Sequence, residues 1–199
     1  MIFSKWLLTL GLFYACTTTL QGPPHSKAKH PAVKAACNSL EVLSNRLDIA
    51  IITQNPDFPV RTTYGAITGA PALASDIGAY APLLASELAR YPANFIAASR
   101  LKRIVLCQNL AFAGQKRMAI PDYEHDSLYY DIALPPEWRG VSRESFEPYQ
   151  RRVFHHEFFH LVDYQDDGLV YEDESWRALN PPGFKYGTGG ANVQNDNRM

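Results

Sequence analysis

The sequence is short of several things, and each shortage removes a class of explanation. Only three cysteines stand in 199 residues, so no disulfide framework carries the fold and stability must come from a packed core. Neither charge sign dominates: 19 basic against 20 acidic residues give a formal net charge of −1. The Lys and Arg residues are scattered, which removes the electrostatic case for a nucleic-acid partner. No apolar run reaches the about 20 residues that a bilayer-spanning helix needs, and no internal repeat is visible. What remains is a chain with 46% hydrophobic residues, long enough for one substantial domain and short for two.

The first sixteen residues differ from the rest. Lys5 supplies a positive start, and Trp6 to Tyr14 form a short apolar run broken only by Thr9 and Gly11. That pattern reads as an export signal. Ala15-Cys16 closes it as in bacterial lipoprotein signals, although Phe13 and Tyr14 are bulky for that cleavage site and Leu12 sits one place early. Residues 1–16 are therefore expected to be a lipoprotein-type signal peptide with Cys16 as the lipidated residue, simple secretion being the alternative. The expected location is the bacterial cell envelope, held to the membrane through a lipid anchor. Residues 17–31, with threonines, prolines, lysines, His25 and His30, read as a flexible linker. Residues 32–199 form the expected domain. With Cys16 removed, Cys37 and Cys107 are left to form a disulfide in an oxidising compartment, or to stand as two unrelated buried thiols.

Periodicity supplies the elements. Leu40, Leu43, Leu47 and Ile51 recur at helical spacing and predict a helix over Val33 to Ile52, broken by Asn55-Pro56-Asp57. Thr62 to Ala74 is rich in Gly, Ala, Thr and Pro and carries no assignment. Ile77 to Arg90 is helical through Leu83, Leu84 and Leu88, and Pro92 separates it from a short helix over Ala93 to Ser99. Arg103 to Cys107 reads as a buried strand and Asp126 to Ile132 as a second. A further helix is expected from Ser145 to Tyr164, with Pro148 in its first turn.

That last helix carries His155-His156-Glu157-Phe158-Phe159-His160, one complete H-E-x-x-H. On a helix, His156 and His160 lie one turn apart on one face and can reach the same metal ion, with Glu157 beside them. His155 offers a second register, but four residues later stands Phe159, which cannot bind metal. Two neutral imidazoles and one more ligand around Zn2+ leave a position for water. Zinc lowers the pKa of that water, and Glu157 is the expected base that removes its proton as a carbonyl is attacked. The strand around Leu128 to Ile132 is expected to be a sheet edge along which an extended peptide lies.

The third ligand stays open. Asp163 shares the face of the histidines and suits a role orienting one of them. Asp166 has the spacing used by metzincins, but the glycine those enzymes need at the midpoint is Asp163 here. Glu172, Glu174, Asp196 and His125 are further candidates, and none stands out.

The block Phe154 to His160, followed by Asp163-Tyr164, Asp167-Gly168, Trp176 and Leu179-Asn180-Pro181-Pro182-Gly183-Phe184-Lys185-Tyr186-Gly187, resembles a family of bacterial zinc-binding metallopeptidases. Many of its members look like exported lipoproteins. A more distant likeness connects it to the lethal-factor and Pro-Pro endopeptidase group, whose zinc helix reads H-E-x-x-H-x-x-D. The resemblance implies a gluzincin-like site with His156 and His160 as metal ligands and Glu157 as catalytic base. It also implies Tyr186 as an oxyanion-stabilising tyrosine, with a packed loop aromatic as the equal alternative. In such enzymes a glutamate after the Tyr-Gly segment completes the zinc site. Ala191 to Met199 contains none, which leads to the expectation of a chain shortened at its C-terminus.

The sequence thus leads to an α+β, zincin-like single domain with an H-E-x-x-H active-site helix and a small sheet. Its expected activity is that of a zinc-dependent endopeptidase of the envelope acting on a peptide or protein substrate. The alternative is a non-catalytic envelope lipoprotein that keeps a degenerate zincin scaffold for binding or structure.

Overall fold

A single aspartate ends the first helix. The computed structural model describes residues 30–138, 140–168 and 174–185; Cys16, Tyr186, Glu172 and Asp196 lie outside the described residues. Helix α1 covers His30–Leu47, so His30 and Pro31 open the helix instead of closing a linker. Asp48 then takes a left-handed φ of 54°, a conformation that Asp tolerates better than most residues. Beyond it the helical spacing through Ile51 fails. Ile51 belongs to strand β1, Ala50–Ile52, where branched side chains fit the pleat.

The chain continues through β2 (Val60–Thr62), β3 (Gly65–Pro71), α2 (Ala74–Leu88), α3 (Ala93–Ala98), β4 (Arg103–Phe112), β5 (Gln115–Lys116), β6 (Ala119–Asp122) and β7 (Ser127–Asp131). A 3₁₀ turn at Pro136–Trp138 leads into α4 (Arg143–Asp167), and α5 (Glu174–Ala178) follows. The architecture is α+β with one mixed sheet in the order β2-β3-β4-β7-β6. Strand β4 is its axis: it pairs parallel with β1 and β7, and antiparallel with β3 and β5.

Strand β7 was expected at an edge, and it is not there. It lies between β4 and β6, which pairs with it antiparallel, Ala119 opposite Tyr130 and Asp122 opposite Ser127. The outer strand on this side is β6, which escapes periodicity because it is short and contains Pro121. Proline is tolerated in a sheet only where its missing N–H faces outward.

The two sheet faces differ. Alternation along β4 sends Ile104 and Leu106 to one side and Val105 and Cys107 to the other. The first side meets Leu40, Leu43 and Leu47 of α1, Ile77, Tyr80, Leu84 and Leu88 of α2, and Phe154, Phe158 and Leu161 of α4. The second holds Ile67, Leu110, Ile120 and Tyr129, with Phe58 packed on Tyr129 at 5.9 Å. This division corrects the expected Cys37–Cys107 disulfide. Cys107 is a buried free thiol that donates to the Tyr130 carbonyl at 3.3 Å. It points away from the face on which α1, the helix of Cys37, is packed.

Helix α4 begins earlier than its sequence suggests. Ser142 caps it by accepting from Ser145 N, and Gly168 closes it with a φ of 76°. Pro148 therefore sits in the second turn and costs the helix one hydrogen bond. Strand β6 runs beside α4 in the same direction. Met118 and Val153 line one small cavity at one end, and the Tyr123 and Tyr164 rings meet at 4.5 Å at the other. The spans agree: five strand residues and eleven helical residues both cover roughly 16 Å.

Candidate metal centre

The core decides which way the motif faces. Phe154, Phe158 and Leu161 are wholly buried, and this stripe fixes the rotation of α4 so that His156 and His160 are exposed on another side. Their Nε2 atoms stand 3.1 Å apart, with the rings nearly perpendicular at 82°.

That distance fits a shared metal ion. Two imidazole nitrogens bound tetrahedrally at about 2.0–2.1 Å from zinc stand roughly 3.3 Å apart. At this separation either a shared proton or a cation can sit between the two nitrogens. Burial, and then the neighbouring His156, hold the His160 pKa below the usual histidine range, while Asp163 pulls the other way. A neutral His160 has the lone pair that a metal requires.

Glu157 is half-buried beside the pair. Burial pushes its carboxyl up to about 7, with Arg117 of the β5–β6 corner opposing the shift. A carboxylate whose proton affinity lies near neutrality suits a group that accepts and returns protons. Beneath it Tyr130 is fully buried, its hydroxyl donating to the Phe154 carbonyl at 3.3 Å. Burial first, then Tyr80 and Glu157, keep that phenol well above its ordinary pKa.

His155 has a different fate from the other two histidines. Its Nε2 lies 2.8 Å from a carboxylate oxygen of Glu87, and its Nδ1 2.7 Å from the Tyr91 hydroxyl. A carboxylate only accepts, so Nε2 carries the hydrogen and Nδ1 accepts from Tyr91 when the ring is neutral. Burial, then Arg90 and Arg151, lower the pKa of this ring, which favours that neutral form. Glu87 is only 2% exposed and is also paired with Arg90 at 3.1 Å and with Arg151. Sequence reasoning missed this network. The available signal was an acid on the apolar side of α2, in phase with Ile77, Tyr80 and Leu84, where a charge needs partners.

The remaining candidates do not converge. Among the described residues no third His, Cys, Asp or Glu joins His156 and His160 in a group able to hold a metal. Asp163, Asp166 and Glu174 are exposed. His125 is held through Nδ1 by the buried Asp122 at 2.8 Å, in the turn between β6 and β7. A polar cleft of about 380 Å³ opens at the C-terminal end of α4, lined by Arg100, Tyr123, Glu124, Asp126, Tyr164, Gln165 and Gly168. Among the described residues no helix is long and apolar enough to cross a membrane.

Compared with protein-family models, curated proteins and solved structures, the chain matches none.

Proposed function

We propose that the chain is a zincin-type, zinc-dependent endopeptidase, exported and lipid-anchored at Cys16 in the bacterial envelope. The observation that carries this reading is the convergence of His156 Nε2 and His160 Nε2 at 3.1 Å, with Glu157 half-buried beside them. The resemblance of the Phe154 to Gly187 block supports the same choice of residues.

His156 and His160 would hold one zinc ion, with a third ligand outside the groups that the described residues bring together. When bound, zinc supplies Lewis acidity and makes water a stronger acid. Glu157 takes the proton from the attacking water and passes it to the leaving amine. The partial burial of Glu157 raises its proton affinity, and Tyr186, by resemblance, donates to the developing oxyanion.

Strand β6 is suited to receive a substrate. Asp131 N donates to Met118 O at 2.8 Å, and this sets the alternation of the β6–β7 pair. Ile120 and Asp122 then bond toward β7, while the backbone groups of Ala119 and Pro121 turn outward. An extended peptide added here pairs with Ala119 and runs along α4 past the motif toward the Tyr123–Tyr164 cleft. Pro121 offers a carbonyl but no N–H, so this short edge resists indiscriminate strand addition.

A second reading rests on the two-residue ligand set: among the described residues no third His, Cys, Asp or Glu joins His156 and His160. On it, the chain is a non-catalytic envelope lipoprotein that retains the scaffold for binding. Metal content and peptide cleavage separate the two. Near-equimolar zinc is expected in the purified chain, sharply reduced by His156→Ala and retained by Glu157→Ala. Cleavage of a peptide library should disappear in Glu157→Ala. A chain that takes up no zinc at micromolar free metal would sink the enzymatic reading. Zinc uptake without cleavage would favour the scaffold.

A further inference from the structure

Helices α2 and α4 are tied together twice by ion pairs. Near their first turns Asp76 accepts from Arg143. Further along, the buried Glu87 accepts from Arg151 and from His155. Arg151 and His155 are one turn apart on α4, so a single carboxylate grips one face of that helix at two heights. Ties at two levels fix the helix along its axis as well as around it.

The second tie falls on the turn that begins the motif. His155 and His156 are adjacent, about 100° apart around the helix, so a rotation of that size would exchange which imidazole faces the metal position and a much smaller one would already misaim His156 and His160. Glu87 and Tyr91 occupy both nitrogens of His155. The ring of Tyr91 is itself held by Phe95, stacked at 5.5 Å, and by the edge of Phe158 at 4.8 Å. His155 is thereby withdrawn as a ligand and used as a handle.

We propose that Glu87 is a positioning residue: within the facing that the Phe154, Phe158 and Leu161 stripe imposes, it holds the fine rotation of α4 through His155 and Arg151 and so aims the His156/His160 pair at one metal ion. This role rests on the zinc reading of the motif. It explains why a carboxylate is buried under two arginines and a histidine on an otherwise apolar helix face. Buried ion pairs are weak sources of net stability, and their best-attested use is to fix one arrangement among several.

The test is metal binding by the full chain, read through the visible absorption of bound Co2+ and competition with zinc, beside the thermal midpoint of the metal-free protein. Glu87→Gln keeps the volume but removes the charge that both α4 donors share. It is expected to weaken metal affinity about tenfold, the low end of the loss when a ligand's own outer partner is removed, since Glu87 acts on the ligands only through the helix, and to change the Co2+ bands. His155→Gln places an amide N–H where the Nε2–H stands and should retain most of the affinity. His155→Leu should lose it, and this pair decides the matter if Glu87→Gln does not fold. A lowered midpoint with wild-type affinity and wild-type bands in Glu87→Gln, or in His155→Leu, overturns the positioning role and leaves the metal site standing. A wild-type chain that binds neither metal removes the site, and this role with it.

Discussion

His155 and His156 are neighbours in the chain and opposites in circumstance. The first has both ring nitrogens in hydrogen bonds, to Glu87 and Tyr91. The second is exposed and, among the described residues, meets another histidine, His160, at 3.1 Å. The same division runs along α4: the side facing the domain is packed, with Gln150 Nε2 buried and unpartnered among the described residues, and the side carrying His156 and His160 faces solvent. Two identical residues thus acquire different chemistry from tertiary contacts alone. A fully satisfied imidazole contributes to structure, whereas one whose ring stands exposed beside a second imidazole is available to a ligand.

The sharpest way to break this contrast is to exchange the consequences of the two sides. Phe158 is wholly buried, with its edge on Tyr91 and its face toward Phe154 at 6.1 Å. Phe158→Ala should cost about 3–5 kcal/mol in urea denaturation of the metal-free protein. His156→Ala removes an exposed side chain and should change the same measurement by no more than about 0.5 kcal/mol, while the proposed zinc uptake should collapse. A large stability loss in His156→Ala would mean that the exposed side is structural after all.

A smaller effect separates Glu157 from its neighbours. Its carboxyl is raised from its ordinary 4.5 to about 7 by burial. The folded state therefore binds the proton more tightly than the unfolded one. Its contribution is fully present below about pH 4.5 and is lost as pH rises through about 7. Discounted for partial exposure, the loss is about 1–2 kcal/mol. Metal-free Glu157→Gln should gain stability over the wild type between pH 5 and pH 8 by this amount. Saturating zinc should shrink the gap, because a nearby cation favours the carboxylate. Parallel pH profiles for the two proteins would show that Glu157 is not under strain at the site.

The motif side of α4 was legible in the sequence because it is local: H-E-x-x-H needs only helical spacing, and the stripe of Phe154, Phe158 and Leu161 fixes which side faces out. The other side was not legible, since Glu87 and His155 meet across the fold and no spacing announces it. The same limit explains the sheet. Strands β4 and β7 declared themselves through apolar and branched runs, whereas β3, with its Gly, Ala and Pro, and β6, with Pro121, are strands by virtue of their neighbours. Ile51 continued a helical phase until Asp48 turned the backbone, and Cys107 paired with Cys37 only for as long as sheet faces were ignored.

The smallest expected effect is the most useful control on the comparison. Ser142 Oγ accepts from Ser145 N at 3.3 Å and caps α4, about 21 Å along the helix from His156. Ser142→Ala should cost about 1 kcal/mol in the metal-free and metal-loaded protein alike. Equal losses in both forms leave metal affinity unchanged, since affinity reports only the difference between them. A variant that loses stability but keeps its metal would show that weakening α4 as a whole does not disturb the pair. Any loss of affinity on altering Glu87 or His155 then belongs to the aim of the helix and not to its stability. Should Ser142→Ala weaken metal binding as much as Glu87→Gln does, the two sides of α4 are coupled through helix stability alone. The contrast between the neighbouring histidines would then be one of exposure, with no positioning device behind it.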